Sequence, residues 1–454
     1  MGSIEIDPKE LSRFTEVSGS YVDKEGNPVS VPIEVEVKAP NEFRVKLPRG
    51  VDPREVVGRK FTIIFNHITP LPIGGYTERR YLAYRCEIRS EGGELIATPY
   101  RRYGWDEGKI PFFQYCELTV NNAKKYLKRR GLELGSTFRP KLGAINTFIR
   151  ITRLPFLLAS VISVLAGASV AFYQGYFDAL IFALTMIGIA SAHIALNMIN
   201  DYFDTKLGAD VMNVAPTPFS GGSRSLIYGL VTTGRLTLLI AVFSGITLGI
   251  GAYLAVLRGV FQISSLVALG FFLIYFYTAP PIKLAYRGLG ELAVALGFGP
   301  VIVIGSYFVQ TQQFALEPVL VSIPVGLLIM LILYVNEIPD SPYDAAAHKR
   351  TLVVRLRRET VMSMYRLMLA TTYGLIVAYA LTGIAPLTVL LALLTVPYAA
   401  RVYRGVKVTY NQTYNMIPYL GGNINLTIGT GAILAFGYLI ARPLEILLGV
   451  PLTL

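Results

Sequence analysis

The chain has 454 residues, of which 53% are hydrophobic and 16% charged, and its formal net charge is +12. Mean hydropathy is +0.49. Soluble globular chains carry about 25% charged residues, so this composition points to a chain that largely faces lipid. The positive balance fits nucleic-acid binding or a membrane protein with basic loops; the long apolar runs select the second, and no nucleic-acid partner is expected. Two cysteines, Cys86 and Cys116, are too few for a metal or iron–sulfur site and read as reduced structural thiols.

The first predicted unit is a soluble domain over residues 1–140, with no apolar signal core at its start. It holds charge clusters such as ERR at 78–80 and KKYLKRR at 124–130. Strand-like runs occur at 33–37, 43–47, 60–65, 81–88 and 94–100, separated by turn signals such as KEGN and EGGE. A helix is expected near 118–130, giving a β-rich (α+β) domain. No glycine-rich dinucleotide loop is present.

The second unit, residues 141–454, is a chain of apolar stretches. A membrane helix needs about 17–25 apolar residues. Nine stretches qualify, at 152–174, 177–199, 232–255, 262–280, 289–309, 318–336, 361–382, 385–400 and 423–441. The expected fold is an all-α polytopic membrane bundle of nine transmembrane helices behind the N-terminal β-rich domain. Lys and Arg concentrate after the even-numbered stretches, for example Lys206, Lys283, Arg355 and Arg404, and before the first at Arg139, Lys141 and Arg150. The positive-inside rule then puts the N-terminal domain and these loops in the cytoplasm of a cell membrane, with the C-terminus outside.

Two polar clusters end the second and sixth stretches. In ALNMINDYFDTKLGAD, Asn197, Asp201 and Asp204 recur at four and three residues, and Asp210 follows six later. That spacing puts the first three on one helical face. In VNEIPDSPYDAAAHKRTLVVRL, Asn336, Asp340 and Asp344 recur every four, with Glu337 beside the first. Carboxylates at a membrane helix end are costly unless they pair, hydrate or bind a cation. Two matched clusters on one face could hold Mg²⁺, which takes oxygen ligands and bridges carboxylates to substrate phosphates.

Basic and aromatic residues surround them. Arg224 follows the glycines Gly221 and Gly222, whose backbone N–H groups could approach an anion. Lys283, Arg287, Lys349 and Arg350 stand in neighbouring loops. Each reads either as an anion contact or as a topology-setting charge. Glu291 is a helix-start charge or a pocket group close to Arg287. Tyr277 is an interfacial anchor or a ring beside a developing cation. Tyr275, two residues earlier, must point to another face. His193 and His348 carry packing or solvent roles equally well.

The motifs NMINDYFDTKLGAD, FSGGSR, YTAPPIKLAYRGLGE, FGPVIVIGSYFVQT and NEIPDSPYDAAAHKRTLVVRL, in that order, resemble the UbiA-type superfamily of intramembrane aromatic prenyltransferases over residues 145–441. They look most like the 1,4-dihydroxy-2-naphthoate polyprenyltransferases of menaquinone synthesis. The resemblance implies a nine-helix bundle around a cavity open sideways to lipid. It implies that Asn197, Asp201, Asp204 and Asp210, with Asn336, Asp340 and Asp344, hold Mg²⁺ and the diphosphate of a prenyl donor, while loop residues such as Arg224, Lys283, Arg287, Lys349 and Arg350 bind phosphate. It implies attack of an aromatic acceptor on an allylic cation, with loss of CO₂ for the naphthoate. Gly208, where benzoate-using members place an aspartate, and FSGGSR, where several other groups carry RP-x-P, favour the naphthoate group; His348, where glycine is usual, departs from it.

A second, faint resemblance links FNHITPLPIGGYTERRYLAYRCEI to a split-barrel flavin-binding fold. For Asn66 and His67, which open it, a strand-end role is the more ordinary reading. The N-terminal domain suits a cover over the site or a docking module for a partner enzyme or second subunit. A secondary transporter would place its polar residues at mid-membrane in broken helices, not at one face.

Overall fold

The computed structural model describes residues 4–70, 76–136 and 142–453. Arg139, Lys141, the expected boundary at 140 and part of the split-barrel stretch lie outside them. The chain divides into two compact units, Met1–Thr119 and Val120–Leu454.

The first unit is an antiparallel half-barrel sheet. Its strands are β1 (Glu16–Val22), β2 (Pro28–Pro32), β3 (Glu34–Ala39), β4 (Glu42–Lys46), β5 (Lys60–Pro70), β6 (Tyr76–Glu91) and β7 (Glu94–Asp106). Their order is β2-β1-β5-β6-β7-β4-β3. Period-two burial along β5 sends Phe61, Ile63 and Phe65 into a core with Phe43, Leu82, Tyr84 and Cys86. β1 crosses that core at Gly19, where a Cβ would run into the Phe61 ring. Burial pushes the Cys86 thiol up to about 12, as expected of an inert packing group. β1 and β2, which the sequence pattern did not single out, are short and polar on one face. Asn66 is a ladder residue of β5 opposite Glu16 and Tyr81, and His67 Nε2 lies 3.7 Å from Glu78.

A helix, α1 (Phe112–Leu134), spans the division between the units. The second unit then contains α2 (Ala144–Thr152), α3 (Leu154–Tyr173), α4 (Ala179–Leu207), α5 (Thr233–Arg258), α6 (Val260–Phe276), α7 (Gly290–Thr311), α8 (Leu316–Ala346), α9 (Arg358–Leu381), α10 (Leu387–Thr409) and α11 (Ile417–Leu448). Among the described residues, eight of these, α3–α5 and α7–α11, are long and apolar enough to cross a membrane. The expected count of nine is therefore corrected. The stretch at 262–280 yields only the 17 residues of α6, about 25 Å at 1.5 Å per residue against a hydrocarbon core of about 30 Å. Pro280 and Pro281 stop the helix short of its predicted end.

The other departure is at the polar clusters. The hydropathy pattern ends the second and sixth stretches at 199 and 336, but α4 runs on to Leu207 and α8 to Ala346. Both aspartate pairs therefore ride on helix rather than loop. α8 continues through Pro339 and Pro342. Pro342 cannot donate to Ile338 O, and the Ser341 hydroxyl supplies that bond at 2.8 Å.

Small residues set how closely the helices approach. A Cβ on Gly299, in a π-turn of α7, would sit 2.9 Å from Gly326 Cα of α8. This contact sets how closely α7 approaches α8. Gly326→Leu should overpack the crossing at about 1–3 kcal/mol, and a lowered thermal unfolding midpoint in detergent would register it.

Candidate active site

Asn197, Asp201 and Asp204 lie along one face of α4, and all three are buried. The helix ends at Gly208, whose φ of +96° forms a left-handed cap, with its N–H on Asp204 O at 3.1 Å. An L-residue at that φ is strained. The missing aspartate at Gly208 is thus also the device that turns the chain, and the next short helix, Ala209–Met212, carries Asp210 back to the cluster.

The segment from Asn213 to Ser225 lies between the two clusters, and one aspartate of each helix grips it. Asp201 takes the Ser223 N–H at 2.6 Å and the Ser223 hydroxyl. Asp340 takes the Gly221 N–H and the Asn213 side-chain amide, both at 2.8 Å. Gly221 and Gly222 have φ of +78° and +73°. A Cβ on Gly222 would collide with the Asp210 carboxylate, so glycine there is what lets the loop close over Asp210.

The remaining aspartates converge on Lys349. Its ammonium lies 3.0 Å from Asp204 and 3.7 Å from Asp344. Burial disfavours the ammonium, but the Asp204 and Asp344 carboxylates outweigh it and hold its pKa well above the lysine range. Tyr286 donates to the other Asp204 oxygen at 2.8 Å, and Asn200 donates to Oδ2 at 2.9 Å.

These groups enclose a polar cavity. Of the expected residues, Asn197, Asp204, Asp210, Tyr277, Asn336, Asp340, Asp344 and Lys349 line it. Asp201 does not; it braces the loop behind. Arg224 is also absent from the lining: it bonds to Asp210 O at 2.8 Å, Asn213 O at 3.0 Å and the Tyr228 hydroxyl at 3.1 Å. Lys283 lies over the Tyr286 ring, while Arg287 and Arg350 are exposed, and none of the three lines the cavity. Glu291 is fully buried and takes the Leu352 N–H at 2.7 Å rather than meeting Arg287. His348 is exposed.

Several lining residues were not picked out from sequence. Arg153, just before α3, lines the cavity with Asn213, Ser220 and Glu337. Arg153 sits at a helix start, where a basic residue reads as a topology charge. Glu337 was visible only as a neighbour of Asn336.

An apolar chamber adjoins the polar cavity, lined from α4 to α7 by residues such as Ile189, Leu254, Val267 and Val301. His193, Leu196, Tyr277, Val294 and Phe298 line both spaces. Tyr277 thus stands at the junction, while Tyr275 is exposed. His193 is fixed there by Ser160 at 2.7 Å and by the edge of Phe298.

The donor set suits a hard cation. Asp210 Oδ2 and Asn336 Oδ1 are buried and accept no hydrogen bond among the described residues. Burial, then Asp204 and Asp201, push the Asp210 carboxyl well above its usual range, so a cation beside it would relieve an existing strain. Yet among the described residues no three His, Cys, Asp or Glu side chains converge on one point. An ion held here would take part of its shell from a phosphate and water, as Mg²⁺ does.

Removing Lys349 tests the electrostatic arrangement. Lys349→Met leaves the buried Asp204 and Asp344 without their shared cation and should cost about 3–5 kcal/mol. Adding Asp344→Asn should recover part of the loss. Thermal unfolding of the metal-free protein in detergent measures both.

The model of the UbiA prenyltransferase family matches residues 160–416. Relatives include 1,4-dihydroxy-2-naphthoate octaprenyltransferase of Bacillus subtilis, 27% identical over 64% of this chain and 92% of its own length. Another is 2-carboxy-1,4-naphthoquinone phytyltransferase of Synechocystis, 26% identical over 63% of this chain and 90% of its own. Among solved structures, a UbiA homolog from Archaeoglobus fulgidus bound to GPP and Mg²⁺ aligns at TM-score 0.45 and 16% identity, covering 64% of this chain and 99% of that one. With the family matched over more than half its length, this multi-pass chain belongs to the UbiA prenyltransferases and is a transferase.

Proposed function

We propose that the chain transfers a polyprenyl group from a prenyl diphosphate to 1,4-dihydroxy-2-naphthoate, with Mg²⁺ and with loss of CO₂, in menaquinone or related quinone synthesis. The observation that carries the reaction is a polar cavity with unpaired carboxyl and amide oxygens that shares Tyr277 and Phe298 with an adjoining apolar chamber. A prenyl diphosphate has the same two halves. The acceptor rests on the relatives named for naphthoate substrates and on the Gly208 and FSGGSR features.

Asp204, Asp210, Asn336, Asp340 and Asp344 would hold Mg²⁺ with the diphosphate. When bound, the ion neutralises charge growing on the leaving diphosphate. Lys349 and Arg153 contribute positive charge from the protein side. Asp201 and Asp340 fix the loop, so that the Gly221–Gly222 backbone is set before substrate arrives. Tyr277 presents its ring where the allylic carbon would cross from polar cavity to chamber, and a ring face there stabilises positive charge. The chamber keeps water from that carbon. The acceptor ring attacks the allylic carbon as the carbon–oxygen bond to diphosphate breaks, and its carboxylate departs as CO₂ from the carbon that was attacked.

The end of the bundle bearing Lys206, Lys283 and Lys349 faces the cytoplasm in this proposal, by the excess of basic residues there. The C-terminal end of α11, where Glu445 meets Tyr173 at the end of α3, lies at the other end of the bundle and faces outward in this proposal. α6, though shorter than the eight spans, returns the chain from Arg258 to the Lys283 end.

Purified enzyme with geranylgeranyl diphosphate should prenylate dihydroxynaphthoate and release CO₂. Product from 4-hydroxybenzoate, homogentisate or a glycerol phosphate, but none from dihydroxynaphthoate, would replace the acceptor. Asp204→Ala, Asp340→Ala and chelation by EDTA should each lower turnover at least 100-fold, the scale of losing one charge-stabilising contact. Undiminished rates in all three would remove the metal–diphosphate assignment.

A further inference from the structure

The metal–diphosphate proposal leaves two buried carboxyls of the cavity region without a role. Glu337 stands one helical turn before Asp340 on α8, so it lies deeper than the aspartates and shares their face. It lines the polar cavity and is 5% exposed. Its Oε2 accepts no hydrogen bond among the described residues. Behind it is Glu291, in the first turn of α7, fully buried and facing the Glu337 carboxyl. One Glu291 oxygen takes the Leu352 N–H, and Oε2 has no donor.

A buried carboxyl oxygen without a donor is costly. The nearby cation, Lys349, is already held by Asp204 and Asp344. Glu291 lies within hydrogen-bonding reach of Glu337, and a substrate reaches Glu337 from the cavity that it lines.

The two substrates differ in what they can give. A prenyl diphosphate offers acceptor oxygens and negative charge, and meets a carboxylate only through Mg²⁺. A hydroxylated aromatic ring offers O–H donors. We propose that Glu337 is the acceptor-binding residue of the cavity, taking a hydrogen bond from a ring hydroxyl, with Glu291 as the positioning residue behind it. This assignment rests on the aromatic-acceptor reading above. It also places the ring. Glu337 shares the cavity with Tyr277, Val294 and Phe298, the residues of the junction where the allylic carbon would lie.

The test is steady-state kinetics of the full chain in detergent, with geranylgeranyl diphosphate, Mg²⁺ and dihydroxynaphthoate. Thermal melts serve as fold controls. Glu337→Met should raise the KM for the acceptor roughly tenfold, the scale of one hydrogen bond. The KM for the donor and the Mg²⁺ midpoint should stay within about twofold. Wild type should turn over the mono-methoxy analogue poorly, and Glu337→Met should lose that discrimination, a change that a merely structural role would not produce. Glu291→Gln should shift the acceptor KM in the same direction by less. An unchanged acceptor KM in Glu337→Met, or a donor KM or Mg²⁺ midpoint that moves as far, would overturn the assignment. If wild type makes no product from dihydroxynaphthoate, the acceptor proposal fails by itself. The same comparison then uses the hydroxylated acceptor that wild type does prenylate, and the absence of any such acceptor overturns the inference as well.

Discussion

The site depends on one electrostatic constraint: aspartates from two helices are buried together and must be compensated without being neutralised beyond use. Burial and mutual repulsion both oppose it. The chain divides the work. The first aspartate of each helix, Asp201 and Asp340, is satisfied by backbone and side-chain donors of one loop. The last, Asp204 and Asp344, meets the single ammonium of Lys349. Asp210 is left with an unpaired oxygen. A loop held by carboxylates and carboxylates held by a loop are each other's support, so neither helix end is independent of the other.

Backbone geometry makes that arrangement reachable. Gly208 ends α4 in a left-handed turn so that Asp210 returns to the cluster. Gly222 leaves room for the Asp210 carboxylate. Arg224, itself at a φ of +57°, locks the loop from behind through two carbonyls. Its charge is spent on holding shape, which explains why a basic residue in a suggestive motif is not found in the cavity lining.

Much of this was legible in the sequence, and the misses have physical causes. Helical spacing brought Asn197, Asp201 and Asp204 to one face, and hydropathy found the apolar stretches. Hydropathy also ended α4 and α8 too early, because it scores polar residues as loop while buried hydrogen bonds keep both helices going. The same measure merged α6 with the proline-bearing turn after it and so overcounted the spans. Sequence spacing could not separate Asp201, which braces, from Asp204, which lines, since both lie on one face and differ only in which partner reaches them. Arg153 and Arg287 look alike as basic residues at helix edges; only the packing puts one in the cavity and the other in solvent.

The division of the cavity follows from which helices form each half. The polar half is walled by α4, α8 and the loops between them, where burial is deep and hydrogen bonds are dense. The apolar half is walled by α4 and α7 together with α5 and α6, and the last two keep few residues buried: five of 26 in α5 and Ile263 alone in α6. A helix with little protein packing is held mainly by lipid and can yield to a long chain at small cost, whereas the aspartate helices cannot move without losing Lys349. Rigid charge at one end and a compliant wall at the other is the combination that a substrate with a fixed diphosphate and a tail of variable length requires.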